Sequence, residues 1–428
     1  MALYEGTNGH DLMAGSDNDG DESEAFGARA GNDTITGLNG DDVVDGGPGT
    51  DVAVFRGARS DYRFSLVVND DMVGFLVFGV ADTVSGRDGT DVLINVEFTQ
   101  FRDGRLPWFN LPIDIRVDPA FGPADTVELY GGSANDTMTG HDGPDRFTGG
   151  LGNDVMVGGE GGPSDDNDTA VYVAASSSWV VMNPIAGGIK ANLQTGIVTG
   201  AWGNDTLIAI ENIEATPYAD ELTGNSANNV LDGGAGNDTL IGAQGNDLLH
   251  GDEGFDTAIF AGSISGYEVE MTGELRTVSD IQGPGGNDSL RSIERVLFDD
   301  VGIAYDLDGH AGDAARLVGV LFDGQSLGDR HLVRAVLEAF DAGHTAEEIA
   351  AYAVDLFYPD YTATQFSTLV YYNLAGFMPD EPDIAFLNGL IQEHSMAGLA
   401  VMAADTSYND ENIGFTGLMA NGLEFVVS

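Results

Sequence analysis

Up to about residue 308, apolar residues come in short bursts, each ended by glycine and polar residues. The commonest burst is a triplet with an apolar middle residue, and it returns every nine residues. Leu12, Ile35, Val44, Met138, Phe147, Met156, Leu231, Leu240 and Leu248 fall near that middle position. The pattern predicts very short strands that turn one side chain inward and are separated by tight turns. From Asp308 glycine thins out and apolar residues recur at three and four. AARLVGVLF, DRHLVRAVLEAFDAG and TAEEIAAYAVDLF predict three helices. Thr345 and Glu348 form a capping box, and Gly343 suits the stop of the helix before it. TQFSTLVYYNLAG, PDIAFLNGLIQEHS, SMAGLAVMAADT and DENIGFTGLMANG predict four more, with Pro382 in a first turn.

The nine-residue unit reads G-G-x-G-x-D-x-apolar-x. A first block holds GTNGHDLMA, ARAGNDTIT, GLNGDDVVD and GGPGTDVAV, with Asp11, Asp33, Asp42 and Asp51 at the sixth position. An acidic insertion, Asp17 to Glu24, separates Asp11 from the rest. A second block holds GGSANDTMT, GHDGPDRFT and GGLGNDVMV, with Asp136, Asp145 and Asp154, and an acidic insertion then ends at Asp168. A third carries Asp220, Asn229, Asp238, Asp247 and Asp256 at intervals of nine. Each block runs into a related stretch starting DVAVF, DTAVY or DTAIF, with Tyr62, Trp179 or Tyr267 eleven residues after its acid. A second shared phrase follows: GTDVLINVEFTQFRDG, GNDTLIAIENIEATPYAD and GNDSLRSIERVLFDD. The chain thus divides into modules over 1–112, 113–217 and 218–308, and a helical domain over 309–428. LPIDIRVDPAFGPAD is the expected linker between the first two.

Glycines at positions one, two and four permit tight turns, and their carbonyls can point at a shared ligand. Gly31, Gly40, Gly49, Gly152, Gly236 and Gly245 are the candidate fourth-position residues, beside the sixth-position carboxylates. A dense set of oxygen-only donors suits multiple calcium ions, whereas magnesium keeps its waters and a stricter octahedron. Stacked triplets would form a parallel β-roll with calcium between turns, so metal binding would be part of folding. The fold class expected is mainly β, a calcium-binding β-roll (β-solenoid) with flanking β segments, plus a C-terminal all-α domain.

GGAGNDTLI and GGLGNDVMV resemble the nonapeptide of the repeats-in-toxin (RTX) family of secreted proteins, and the flanking phrases are similar to its β-roll modules. The helical end resembles a helical domain found at the C-terminus of such proteins. The resemblance implies pairs of repeats forming one coil, calcium on aspartates and turn carbonyls, and type I, Sec-independent export that reads a C-terminal signal. Leu423 to Ser428 is similar to such signals, and the start, MALYEGTNGHDL, has no Sec-type pattern. Three departures predict weak or lost sites: Ala134 at a turn glycine, Pro144 after Gly143, and Asn229 for aspartate. Asp11 stands alone after its insertion and would need a neighbouring turn from another chain.

Charge sharpens this reading. The 428 residues hold 16 Lys+Arg and 70 Asp+Glu, hence 16 − 70 = −54, with 61 Gly and no Cys. Such a charge repels nucleic acid and anionic membrane, and no apolar run is long enough for a transmembrane helix. Absent cysteine excludes disulfides and thiolate chemistry. About ten calcium ions would cancel about 20 charges. No H-E-x-x-H is present. One G-x-S-x-G, Gly324 to Gly328, lies between helices rather than after a strand, where a nucleophile elbow would put Ser326. His310, His331, His344 and His394 show no metal spacing. No catalytic residue is assigned. The expectation is a secreted calcium-binding structural or adhesive protein of a surface layer, matrix or filament, self-associating head to tail through its first repeat. An enzyme or toxin acting through the helical domain, and a calcium-dependent adhesin for cell-surface polysaccharide, are the alternatives.

Overall fold

The computed structural model describes residues 2–15, 23–37, 39–68, 77–84, 87–107, 110–117, 126–159, 167–173, 186–272, 275–414, 418 and 421–427. It divides into two compact units: 1–238 with 242–248, and 239–241 with 249–428.

In the first unit the triplets do form strands, and they stack in parallel at twice the repeat length. Thr137 faces Val155 and Asn212 faces Val230, so one coil of 18 residues takes two repeats. Successive repeats therefore alternate between two ladders. One runs Ala2–Glu5, Glu24–Gly27, Val43–Asp45, Thr90–Ile94. The other runs Leu12–Ala14, Thr34–Thr36, Val52–Val54, Phe98–Phe101. The same arrangement resumes with Thr137–Thr139, Val155–Val157 and Gly203–Ile208 on one side. Asp145–Thr148, Thr169–Val171, Asn212–Glu214 and Val230–Asp232 lie on the other. Strands this short turn their middle residue inward, and Ile35, Met138, Phe147, Met156 and Leu231 are fully buried. Two expected core residues are corrected. Leu12 is 83% exposed and Leu248 36% exposed, because each precedes the middle of its triplet; Met13 is partly buried and Leu249 fully so.

Between the repeats and the G-x-D phrase, each stretch leaves the roll as an antiparallel excursion. Tyr62–Val68 pairs Val77–Asp82, which pairs Thr90–Ile94. Ile189–Asn192, Ile197–Gly200 and Gly203–Ile208 repeat the plan. In the second unit so do Tyr267–Thr272, Leu275–Asp280 and Asn287–Arg291. The tyrosines eleven residues after the acid anchor these excursions. Tyr62 packs on Phe55 and Phe101, and Tyr267 on Phe260 and Phe298. Trp179 lies outside the described residues. The expected linker is partly a strand, Ile113–Val117, held between Tyr62–Val68 and Thr137–Thr139. Its alternation Ile113, Ile115 buries two side chains that a free linker would expose to water.

The second unit carries the helices: α1 (His310–Leu321), α2 (Arg330–Asp341), α3 (Ala346–Phe357), α4 (Ala363–Ala375), α5 (Glu381–Ala404) and α6 (Ser407–Asn412). The Thr345–Glu348 capping box forms, and Gly343 is left-handed at φ 86°. Ser395, at φ 71°, divides α5 where two helices were expected. DENIGFTGLMANG is not one helix: α6 ends at Asn412, and 415–417 and 419–420 lie outside the described residues. Leu423–Val426 is a strand, antiparallel to Val301–Ala304.

Candidate calcium centre

Each repeat places its sixth residue where the turn becomes a strand, and the coil below closes over it. Asp33, Asp42, Asp51, Asp136, Asp145, Asp154, Asp168, Asp220, Asp238, Asp247 and Asp256 are each at most 2% exposed, as is Asn229. One oxygen of each acid has a fixed task. Oδ1 of Asp51 accepts the N–H of Asp33 at 2.7 Å, and Oδ1 of Asp154 that of Asp136 at 2.8 Å. Asp168 serves Asp145, Asp238 serves Asp220, and Asp247 serves Asn229 in the same way. The carboxylates thus climb the roll edges in step with the coils. Asp11 is not alone. The turn after its insertion docks against it, and the Asp11 N–H donates to Asp33 Oδ1 at 2.7 Å.

The second oxygen is the informative one. Oδ2 of Asp33, Asp42, Asp51 and Asp154 is buried with no hydrogen-bond partner. An unpaired buried carboxylate oxygen costs several kcal/mol, on the order of the desolvation of an ion. Burial accordingly pushes the carboxyl of Asp42, Asp51 and Asp136 up to about 6 and that of Asp154 to about 8; for Asp154, the charges of Asp205 and Asp136 add to it. Asp247 rises to about 7, again through burial.

Glycine makes room for this second oxygen. A Cβ on Gly37 or Gly149, the first residue of a repeat, would lie under 3.0 Å from Oδ2 of Asp42 or Asp154. The fourth glycine serves close stacking instead. A Cβ on Gly31, Gly49, Gly152 or Gly245 would strike the carbonyl of Gly9, Gly31, Ala134 or Ala227, one coil earlier. Gly31, Gly40, Gly152, Gly236 and Gly245 are left-handed, and Gly49 is not. The result is a column of backbone carbonyls beside a column of carboxylates, a donor set that fits a hard divalent cation and offers nothing to a soft one.

The profile of the RTX calcium-binding nonapeptide repeat matches residues 28–53, 130–162 and 215–258. Those stretches are RTX repeats. The RTX repeats bind calcium, several ions to the chain. Repeats of this kind are typical of extracellular proteins, and no helix among the described residues is long and apolar enough to cross a membrane. No curated protein matches the chain. A crystal structure of an extracellular lipase from Serratia marcescens is similar at 15% identity and a TM-score of 0.21. The likeness covers 68% of this chain and 38% of the lipase, so the chain spans well under two thirds of that protein.

The departures among the RTX repeats have distinct outcomes. Ala134 keeps its carbonyl in the column, facing Gly152. Asp145, after Pro144, stays buried but receives the His141 N–H at 2.7 Å and its ring Nδ1 at 2.9 Å. Asn229 turns its Nδ2 to the Glu211 carbonyl at 2.8 Å and so contributes no charge. Of the acidic insertions, 16–22 and 160–166 lie outside the described residues.

Six ladder acids escape the nonapeptide pattern: Glu24, Asp91, Glu97, Asp205, Glu211 and Glu294. Asp91 Oδ1 accepts the Asp42 N–H at 3.0 Å, and Asp205 Oδ1 that of Asp154 at 3.0 Å. The Glu24 N–H donates to Asp42 Oδ1 at 2.8 Å. The sequence did carry a signal, since GTDVL and GNDTL reproduce positions four to eight of a repeat. Gly89 and Gly203 are left-handed like other fourth-position glycines. Burial, with Asp42 and Asp88 nearby, raises the Asp91 carboxyl to about 8.

In the helical unit, Ser326 sits in a 3-10 turn, its hydroxyl on Asp323 Oδ1 at 3.0 Å and its N–H on the same atom at 2.9 Å. His310 meets Asp341 at 2.8 Å, and His344 and His394 lie within salt-bridge distance of Glu348 and Glu393. His331 is exposed at the start of α2.

Proposed function

We propose that this is a secreted structural or adhesive protein whose rolls fold on calcium outside the cell, in modules over 1–112, 113–217 and 218–308 with a helical domain over 309–428. The threefold recurrence of the excursion supports that division. The buried, unpartnered Oδ2 atoms of Asp33, Asp42, Asp51 and Asp154 carry the reading. Without a cation these oxygens face one another's charge in a dry edge, so the folded roll is disfavoured where calcium is scarce. The repeat aspartates and the fourth-position carbonyls at Gly31, Gly40, Gly49, Gly152, Gly236 and Gly245 would hold the ions. Bound calcium supplies the positive charge, at affinities of about 10⁻⁴ to 10⁻³ M suited to an extracellular module. The acids themselves hold the coils in register through their Oδ1 atoms. Type I export of an unfolded chain fits this economy. Removing calcium by chelation should erase most β signal in circular dichroism, and calcium should restore it; a calcium-indifferent spectrum sinks the proposal.

Assembly would use the first coil. Leu3 is 70% exposed and Leu12 83% exposed, on strands that pair on one side only among the described residues. Exposed strand edges and apolar side chains favour stacking by another copy. Deleting 1–14 should abolish calcium-dependent assembly in sedimentation while leaving a folded monomer. Unchanged assembly would remove this end as the joint.

A further inference from the structure

Three of the ladder acids outside the repeats share one local geometry. Glu97, Glu211 and Glu294 each close a four-residue turn, at 94–97, 208–211 and 291–294. The second residue of each turn is left-handed without being glycine: Asn95 at φ 50°, Ala209 at 52° and Ser292 at 50°. That conformation is uncommon for such residues, above all for alanine. Here it directs a carbonyl at the roll edge. A Cβ on Gly46 would lie under 3.0 Å from both the Asn95 carbonyl oxygen and Asp51 Oδ2. On Gly158 it would meet the Ala209 carbonyl oxygen and Asp168 Oδ2, and on Gly251 the Ser292 carbonyl oxygen and Asp256 Oδ2. Two oxygens therefore converge on one glycine-lined hollow, three times. In an uninterrupted coil the same place is filled by the carbonyl of the first residue of the repeat one coil later, as Gly149 does at Gly131 and Gly242 at Gly224.

The glutamate reaches the same turn. Glu97 Oε2 accepts the Asp51 N–H at 2.6 Å, Glu211 Oε2 that of Asp168 at 3.0 Å, and Glu294 Oε2 that of Asp256 at 2.8 Å. Asp51 is fully buried, and its Oδ2, which faces the first hollow, has no partner. We propose that these three turns complete calcium sites at Asp51, Asp168 and Asp256 with donors from outside the nonapeptide repeats. Each is built from a repeat aspartate, the carbonyl of a left-handed residue and a closing glutamate. The inference rests on the reading that the repeats fold around calcium. Its chemistry is that of a hard cation, since the hollow presents carboxylate and carbonyl oxygens. Its role follows from chain length. The glutamate returns to the roll 46, 43 or 38 residues after the aspartate it meets. Bringing together the ends of such a loop costs entropy, and a metal clip at the closing point offsets it. Each ion would fasten an excursion where it re-enters the roll.

The test is a full-length chain carrying Glu97→Gln, Glu211→Gln and Glu294→Gln. Glutamine keeps an oxygen for the aspartate N–H and removes the charge. Bound calcium is counted by equilibrium dialysis, and folding is followed by circular dichroism along a calcium titration. The variant should bind about three fewer ions than the native chain and fold at a higher calcium midpoint. An unchanged count and midpoint overturn the three sites. Should the triple variant stay unfolded in saturating calcium, Glu97→Gln alone should lose one ion, and no loss overturns the site at Asp51. Asn95→Gly keeps the carbonyl and the left-handed turn, so it should retain the full count; a lost ion would overturn the carbonyl's assignment. A native chain that binds no calcium sinks the broader reading, whereas a native chain that binds calcium beside an unchanged variant sinks only these sites.

Discussion

The first glycine of a repeat and the sixth aspartate occupy one space between them. At Gly149 even a methyl group would collide with Asp154 Oδ2 and the Met156 methyl, so the carboxylate stays pressed into a hollow that only glycine leaves open. The pKa values follow from that confinement. Asp154 and Asp91 near 8, Asp247 near 7 and Asp42, Asp51 and Asp136 near 6 all exceed the roughly 3.9 of an unfolded aspartate. A carboxyl with a raised folded pKa binds protons on folding. The metal-free roll therefore gains stability below about pH 6 and loses it as pH rises through 6 to 8. Protons neutralise the folded carboxyls as calcium does, while the unfolded acids stay ionised, so the calcium midpoint of folding should fall between pH 8 and pH 6. A flat midpoint across that range would mean that the acids titrate normally. Leu249 and Leu248 give a second residue-scale check. Leu249→Ala should cost about 2–5 kcal/mol in denaturant titrations with calcium present, and Leu248→Ala under about 0.5 kcal/mol. The nine-residue spacing located Asp33, Asp154 and Asp238 directly. The same spacing points to Leu249, nine residues after Leu240, as the inward residue, and Leu248 lies one position before it.

At the scale of elements, the period of nine revealed one strand per repeat but not the coil of two repeats, which depends on pairing across 18 residues. The excursions were legible only as shared phrases. Their strands follow no nine-residue rhythm, and Glu97, Glu211 and Glu294 sit behind turns without glycine. In the helical unit, Thr345, Glu348 and Gly343 marked their boundaries by local capping chemistry, which acts within four residues. Arg295 was not legible, since its partners are distant in sequence. It is 4% exposed, paired with Asp306 and, at 3.5 Å, with Asp341, and lies over the Phe255 ring. Arg295→Met should cost about 3–5 kcal/mol, because it leaves the largely buried Asp306 carboxylate without its partner, whereas Asp341 is exposed. Chemical denaturation of the calcium-loaded chain measures this, and a loss under about 1 kcal/mol would mean that the pair is screened by water.

For the molecule as a whole, the −54 charge has two origins. Most repeat and ladder acids are buried along the roll, whereas the 17 acids and 3 arginines from residue 309 onward give 3 − 17 = −14 that no repeat explains. The strand Leu423–Val426 adds a mechanical consequence. It lies antiparallel to Val301–Ala304, about 120 residues earlier in the chain, so one sheet grips both ends of the segment that carries α1 to α6. A pull applied between the roll and residue 427 is borne first by that short ladder of backbone hydrogen bonds. The helices carry tension only after the strand peels away, which makes it a fuse that leaves them unloaded at low force.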